Sequence, residues 1–138
     1  LVPTDGSELS LDAVRGAASF AEAMHSEVVL ITVIEPYSYT SLSEYRPESI
    51  DDYDERVRTV AEERLAEARA IEEKGIKVQT LSVKSFSPAE AIMDACSEKG
   101  CDCVFMASHG RKGIAAVLLG SETQKVLTHS KVPVMVYR

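Results

Sequence analysis

The chain has 138 residues, a mass of 15.0 kDa, 45% hydrophobic and 27% charged side chains, and a formal net charge of -7. That length fits one domain able to bury a core without disulfides or a structural metal. The acidic balance, with a pI near 5.0, argues against a nucleic-acid partner, which calls for a basic footprint. No apolar run approaches the roughly 20 residues needed to span a bilayer, so no membrane partner is expected.

Leu1-Val2 reads as the tail of a strand begun upstream, followed by the polar turn Thr4-Asp5-Gly6-Ser7. Ser7 or Ser10 can cap the next helix, whose apolar positions Leu11, Val14, Ala18, Ala21 and Met24 recur at three and four residues. Glu27 to Ile34 is a β-branched run suited to a parallel sheet covered on both faces. From Glu35 to Asp54 periodicity disappears among Pro36, Pro47 and the tyrosines Tyr37, Tyr39, Tyr45 and Tyr53. That segment is either a functional flap or a partly disordered excursion, and its tyrosines either cover a ligand or a partner or lie on the domain's own helices.

Arg56 to Lys74 predicts a helix with Val57, Val60, Ala61, Leu65, Ala68 and Ile71 on one side, its charges a solvated face and Gly75 just past its end. Lys77 to Lys84 alternates as an edge strand does. Ser87-Pro88-Ala89-Glu90 has the form of a capped helix start, and that helix should end near Gly100. Cys103 to Met106 predicts a fully buried strand. Val132 to Tyr137, with Pro133 near its start, predicts a last strand at an edge. Cys96, Cys101 and Cys103 are an odd count that suits a reducing, cytoplasmic location. Cys101-x-Cys103 with His109 lacks the four-ligand spacing of a zinc site, so no metal ligands are assigned.

Between the fourth strand and the last helix lies Ala107-Ser108-His109-Gly110, continuing through Arg111, Lys112 and Gly113 to Gly120-Ser121-Glu122-Thr123-Gln124. Glycines admit close approach to main-chain N–H groups, and a helix start adds unpaired donors and a positive dipole end. Together they can cradle phosphate; equally, the glycines can only turn the chain and Ser121 only cap, through a Ser121-x-x-Gln124 box. Five strands alternating with four helices predict an α/β domain, and right-handed crossovers permit one open five-stranded parallel sheet in the order 3-2-1-4-5. The first and fourth strands then adjoin, and their following loops splay apart at a topological switch point. Asp5 would face Gly110 there, accepting from ribose or base, although an Asx turn accounts for it as well. His109 has no nucleophile with an orienting carboxylate around it, so hydrolysis through it is disfavoured. Neither a Walker loop nor a dinucleotide fingerprint is present.

Val2-Pro3-Thr4-Asp5-Gly6-Ser7, Ser108-His109-Gly110, Leu118-Leu119-Gly120-Ser121 and Val132-Pro133-Val134-Met135-Val136 together resemble the universal stress protein (UspA) superfamily over essentially the whole chain, 1–138. The resemblance implies the sheet order above and a homodimer paired through the last strand, Val132 to Tyr137. In its nucleotide-binding branch a glycine, two residues, a second glycine, nine residues and Gly-Ser or Gly-Thr form the loop. Gly110 and Gly120-Ser121 fit that pattern, and Ala107 stands at its first position. The implied contacts are Pro3, Thr4, Asp5, Val33, Ala107, His109, Gly110, Gly113, Gly120, Ser121, Glu122 and Thr123, with Asp5 near ribose and base and the Val33 backbone at the adenine edge. The implied ligand is ATP or AMP, or cyclic AMP, carrying Mg²⁺ on its phosphates, in a regulatory role with at most slow hydrolysis. The alternative is a nucleotide-free dimer acting through protein contacts. Ala107 would either crowd the ribose or keep the backbone shape, and Glu122 would repel phosphate unless it points away.

Overall fold

The structure is a computed structural model that describes residues 1–37, 49–110 and 119–138. Its elements are β1 (Val2–Pro3), α1 (Glu8–Met24), β2 (Val28–Ile34), α2 (Ile50–Ala68) continuing into a 3-10 segment (Arg69–Lys74), β3 (Val78–Lys84), α3 (Pro88–Glu98), β4 (Val104–Ala107), α4 (Ser121–His129) and β5 (Val134–Tyr137). All strand pairs are parallel, with β2 between β1 and β3, and β5 beside β4. The five strands form an open array in the expected order, with the ladder interrupted between β1 and β4. There the short β1 contributes only the bonds from Phe105 N–H to the Leu1 carbonyl (2.9 Å) and from the Leu1 amine to the Cys103 carbonyl (2.8 Å).

The array is double-faced because successive residues of β2 are buried on opposite faces. Val28 and Leu30 join Leu11, Val14, Ala18 and Leu65 under α1 and α2, while Val29 and Ile31 join Ile92, Ala95, Val104 and Val126 under α3 and α4. Ser7 caps α1 by accepting from Ser10 N–H, and His25 closes it in the left-handed conformation at φ 52. Met24, expected on the apolar stripe, is exposed. β3 alternates in burial as an edge strand does.

Several boundaries differ from expectation. Helix α2 begins at Ile50, inside the segment read as aperiodic, because Ser49 accepts from Asp52 N–H (3.1 Å) and donates to its carboxylate (2.7 Å). Tyr53 thus lies on the helix, where its hydroxyl donates to the Glu35 carbonyl (2.7 Å) and its ring meets Tyr37 edge-on. Tyr39, Tyr45 and Pro47 lie outside the described residues. Cys103 falls before β4, and the last strand starts at Val134, after Pro133 has accepted from Val104 N–H. Gly75 ends the 3-10 segment at φ 76, as the sequence suggests.

Candidate functional site at the β1 and β4 loops

The loop after β1 is folded by its own side chains. Asp5 Oδ1 accepts from Ser7 N–H (3.0 Å) and Ser7 Oγ (2.6 Å), an Asx turn. Thr4, buried, shares a hydrogen bond with the Ser10 hydroxyl (3.1 Å). The turn-forming role of Asp5 is therefore real, and it is carried by Oδ1. Oδ2 is directed at Gly110: a Cβ added there would stand 2.6 Å from it. The two loops face each other across one crevice.

The loop after β4 is pinned at both ends. Ser108 N–H donates to the Tyr137 carbonyl (2.7 Å), Gly120 N–H to the Ser108 carbonyl (2.7 Å), and Thr123 Oγ1 to the Ala107 carbonyl (2.9 Å). The start of α4 is thereby drawn against the end of β4. Residues 111–118 lie outside the described residues, so Arg111, Lys112, Leu118 and the expected contact Gly113 are not described. Gly110 is not in the left-handed region, so its glycine is required by space and not by φ. Gly120 sits close to His109, where a Cβ would stand 3.3 Å from the His109 Cα. Ala107 occupies the first position of the loop pattern with no positive φ, so alanine keeps the backbone shape without strain.

Two cap assignments change. Gly120, not Ser121, is the N-cap of α4, and no side chain caps it; Ser121 is the first helical residue. The leading N–H groups of α4 thus have no capping side chain, and Ser121, Glu122 and Thr123 line the crevice. Ser87 makes no side-chain cap at α3 either. That duty falls to Glu122, whose Oε2 accepts from Ala89 N–H (2.9 Å) while Oε1 accepts from Lys125 Nζ (2.7 Å). Partial burial pushes the Glu122 carboxyl up, but the Lys125 and Ala89 hydrogen bonds outweigh it and hold the group below the usual carboxylate range. A carboxylate fixed on α3 is turned to protein donors.

The crevice encloses about 780 Å³ and is lined by eleven of the twelve sequence-nominated residues: Pro3, Thr4, Asp5, Val33, Ala107, His109, Gly110, Gly120, Ser121, Glu122 and Thr123. Arg56, Val60 and Arg64 of α2 and Phe86 of the loop after β3 line it too. The arginines had been read as part of a solvated face. Their spacing, four residues either side of Val60, puts all three on one stripe, a signal visible in the sequence. Arg64 reaches the site because Gly6, at φ 75, carries no side chain; a Cβ there would stand 2.9 Å from Arg64 Cγ.

His109 Nδ1 lies 3.1 Å from the Ser108 hydroxyl. The cysteines are free thiols, and burial pushes Cys96 and Cys103 up, away from thiolate. Among the described residues, no group of three or more His, Cys, Asp or Glu could hold a metal ion, and no helix is long and apolar enough to cross a membrane.

Comparison with known proteins agrees with this geometry. The universal stress protein family profile matches residues 1–138. The chain is 29% identical to universal stress protein MJ0531 of Methanocaldococcus jannaschii over 139 residues, spanning 100% of this chain and 80% of that protein. The solved structure of MJ0577 superposes with a TM-score of 0.83 at 28% identity, covering 99% of this chain and 92% of that one. A universal stress protein solved in complex with cAMP superposes at 0.67, with 25% identity and 98% and 91% coverage. The order of the strands, the crevice between the loops after β1 and β4, and the match along the full chain lead to one assignment: this chain belongs to the universal stress protein family.

Proposed function

We propose that the chain binds an adenine nucleotide, ATP or AMP, in the crevice between the loops after β1 and β4, as the ligand-responsive element of a stress-response protein. The observation that carries this reading is the approach of Asp5 Oδ2 to the Cβ position of Gly110, beside a helix start that no side chain caps. A carboxylate on one bank suits ribose hydroxyls or a base amine, and N–H groups and Ser121 on the other suit phosphate. A volume of about 780 Å³ is of the size that nucleotide-scale ligands fill. The relative crystallised with cAMP supports the same ligand class.

Mg²⁺ would arrive on the phosphates, since no carboxylate cage stands ready among the described residues. Hydrolysis would be slow, because the one imidazole lining the crevice is bonded to a serine hydroxyl and not to a carboxylate. The three free thiols suit a reducing compartment such as the cytoplasm. A homodimer is part of the proposal: β5 has a ladder partner, β4, on one side only among the described residues, and Met135 is exposed on it.

Calorimetric titration with ATP, AMP and cyclic AMP, with and without Mg²⁺, tests the ligand. Binding that weakens at least tenfold in Asp5→Ala is expected; no heat and no thermal stabilisation at millimolar nucleotide would overturn the reading in favour of a nucleotide-free dimer. Sedimentation equilibrium reads the dimer, and a monomer at micromolar concentration would remove β5 pairing.

A further inference from the structure

The loop after β3 also lines the crevice, and one residue there, Phe86, is not accounted for by the protein's own packing. Phe86 is 66% exposed, more than any other large hydrophobic side chain among the described residues. It belongs to none of the three apolar clusters and, among the described residues, makes no ring contact, whereas Phe20 lies 5.3 Å from Phe105 and Tyr37 lies 5.2 Å from Tyr53. Yet it lines the crevice with Val33 and Ile34.

The turn that carries it is held on both sides. Ser85 N–H donates to the Ile34 carbonyl (3.0 Å), Ser87 N–H to Ser85 Oγ (3.0 Å), and Ser85 Oγ to the Ser87 carbonyl (3.2 Å). Pro88 then starts α3, whose first turn is capped by Glu122. An exposed ring on so constrained a turn is presented, in the sense that little conformational freedom is left to lose when something covers it. Register fixes where it is presented: Val83 pairs with Val33, and Phe86 stands three residues further along, beyond the C-terminal end of the sheet. The site thus has apolar and aromatic lining from β2 and the loop after β3, and polar lining from the loop after β4 and the start of α4.

We infer that Phe86 is the stacking surface for the purine ring of the bound nucleotide, and so a specificity-determining residue of the site. This rests on the nucleotide reading above and adds to it the residue that selects a flat, extended base. Ligands with one aromatic face and one anionic end match these two kinds of lining; a purine covers more of the ring than a pyrimidine does. Stacking of a base on an aromatic side chain corresponds to about a five- to hundredfold change in affinity on truncation to alanine.

The chain has no tryptophan, so Phe86→Trp supplies a single fluorophore at the site. Titration of ATP and CTP into the parent, Phe86→Ala, Phe86→Leu and Phe86→Trp proteins, with melting temperatures taken alongside, tests the inference. Expected are unchanged melting temperatures, loss of ATP affinity in the alanine and leucine variants, a narrower preference for ATP over CTP in both, and retained affinity with altered emission in the tryptophan variant. If the parent binds ATP and Phe86→Ala binds it within about fivefold, the stacking role is overturned while the nucleotide reading stands. Emission from Phe86→Trp that ignores saturating ATP would overturn it as well. A parent that binds no nucleotide overturns both.

Discussion

Two glycines in this protein make room for a neighbour, and what they make room for separates the part that folds from the part that binds. Gly16 lies mid-way along α1, where a Cβ would overlap the ring of Tyr137 at the end of β5. That ring stacks on Phe105, 6.3 Å away. Gly110 leaves space for Asp5 Oδ2. Neither requirement comes from φ, since neither glycine is in the left-handed region. At Gly16 the occupant is a ring in the protein's own packing, so the space is filled. At Gly110 it is a carboxylate on the wall of a cavity, so the space is shared with whatever enters. A glycine whose missing Cβ is replaced by core should register in stability, and one replaced by a cavity wall should register in affinity.

The sharpest way to break that comparison is Gly110→Val. A branched side chain would push Asp5 out of place and fill the crevice between the two loops. Nucleotide affinity should fall by at least a hundredfold, about 2.7 kcal/mol, with a melting temperature within a few degrees of the parent. Normal ATP binding in this variant would show that the cradle is elsewhere. The matching test at the other glycine is a double-mutant cycle. Gly16→Ala should cost about 2 kcal/mol by displacing the Tyr137 ring, despite the better helix propensity of alanine. In a Tyr137→Ala background the same change should be neutral or stabilising by up to about 1 kcal/mol, because only propensity remains. Equal effects in both backgrounds would deny the contact, and a change in nucleotide affinity would blur the division.

Much of this division was legible in the sequence. The β-branched run of β2 announces a doubly covered strand, and the order 3-2-1-4-5, which the crossover rule permits, brings Asp5 opposite Gly110. What escaped did so for identifiable reasons. The start of α2 is marked by Ser49 and Asp52, a box hidden among serines, prolines and tyrosines that carry no period. Ser87 has every local mark of a cap, yet the carboxylate of Glu122, 33 residues beyond the Ala89 N–H that it accepts from, does the capping, a tertiary preference no local pattern records. Arg56 and Arg64 look like solvent-facing charges until the edge of the helix stripe is seen to border a crevice. Phe86, alone in a serine turn, produces no periodic signal at all.

The displaced cap sets a smaller, pH-dependent expectation that ties the two regions together, since Glu122 lines the crevice and also holds α3. Its carboxyl is depressed in the folded state, so its contribution is complete above the unfolded value and is lost as pH falls through the ordinary carboxylate range into the folded one. Glu122→Gln should therefore cost about 1 kcal/mol at neutral pH and progressively less in acid, read as melting temperature against pH. A pH-independent difference between parent and variant would mean that the charge is immaterial to the cap.

The smallest effect expected is a gain, and it probes the wall between the filled and the open regions. Thr32 lies in the middle of β2, fully buried, and its hydroxyl has no hydrogen-bond partner among the described residues. On the alternating strand it shares the α2 face with Leu30 and Ile34, whereas Ile31 and Val33 point to the other. Replacement by valine keeps the shape and removes a polar group that folding strips of water. Thr32→Val should stabilise the protein by about 1 kcal/mol, raising the melting temperature by roughly 3–5 °C. Nucleotide affinity should stay within twofold of the parent, because Thr32 is not among the residues that line the crevice. Should Thr32→Val weaken nucleotide binding instead, its hydroxyl would have found its partner in the ligand, and the binding region would extend under α2 to the middle of the sheet.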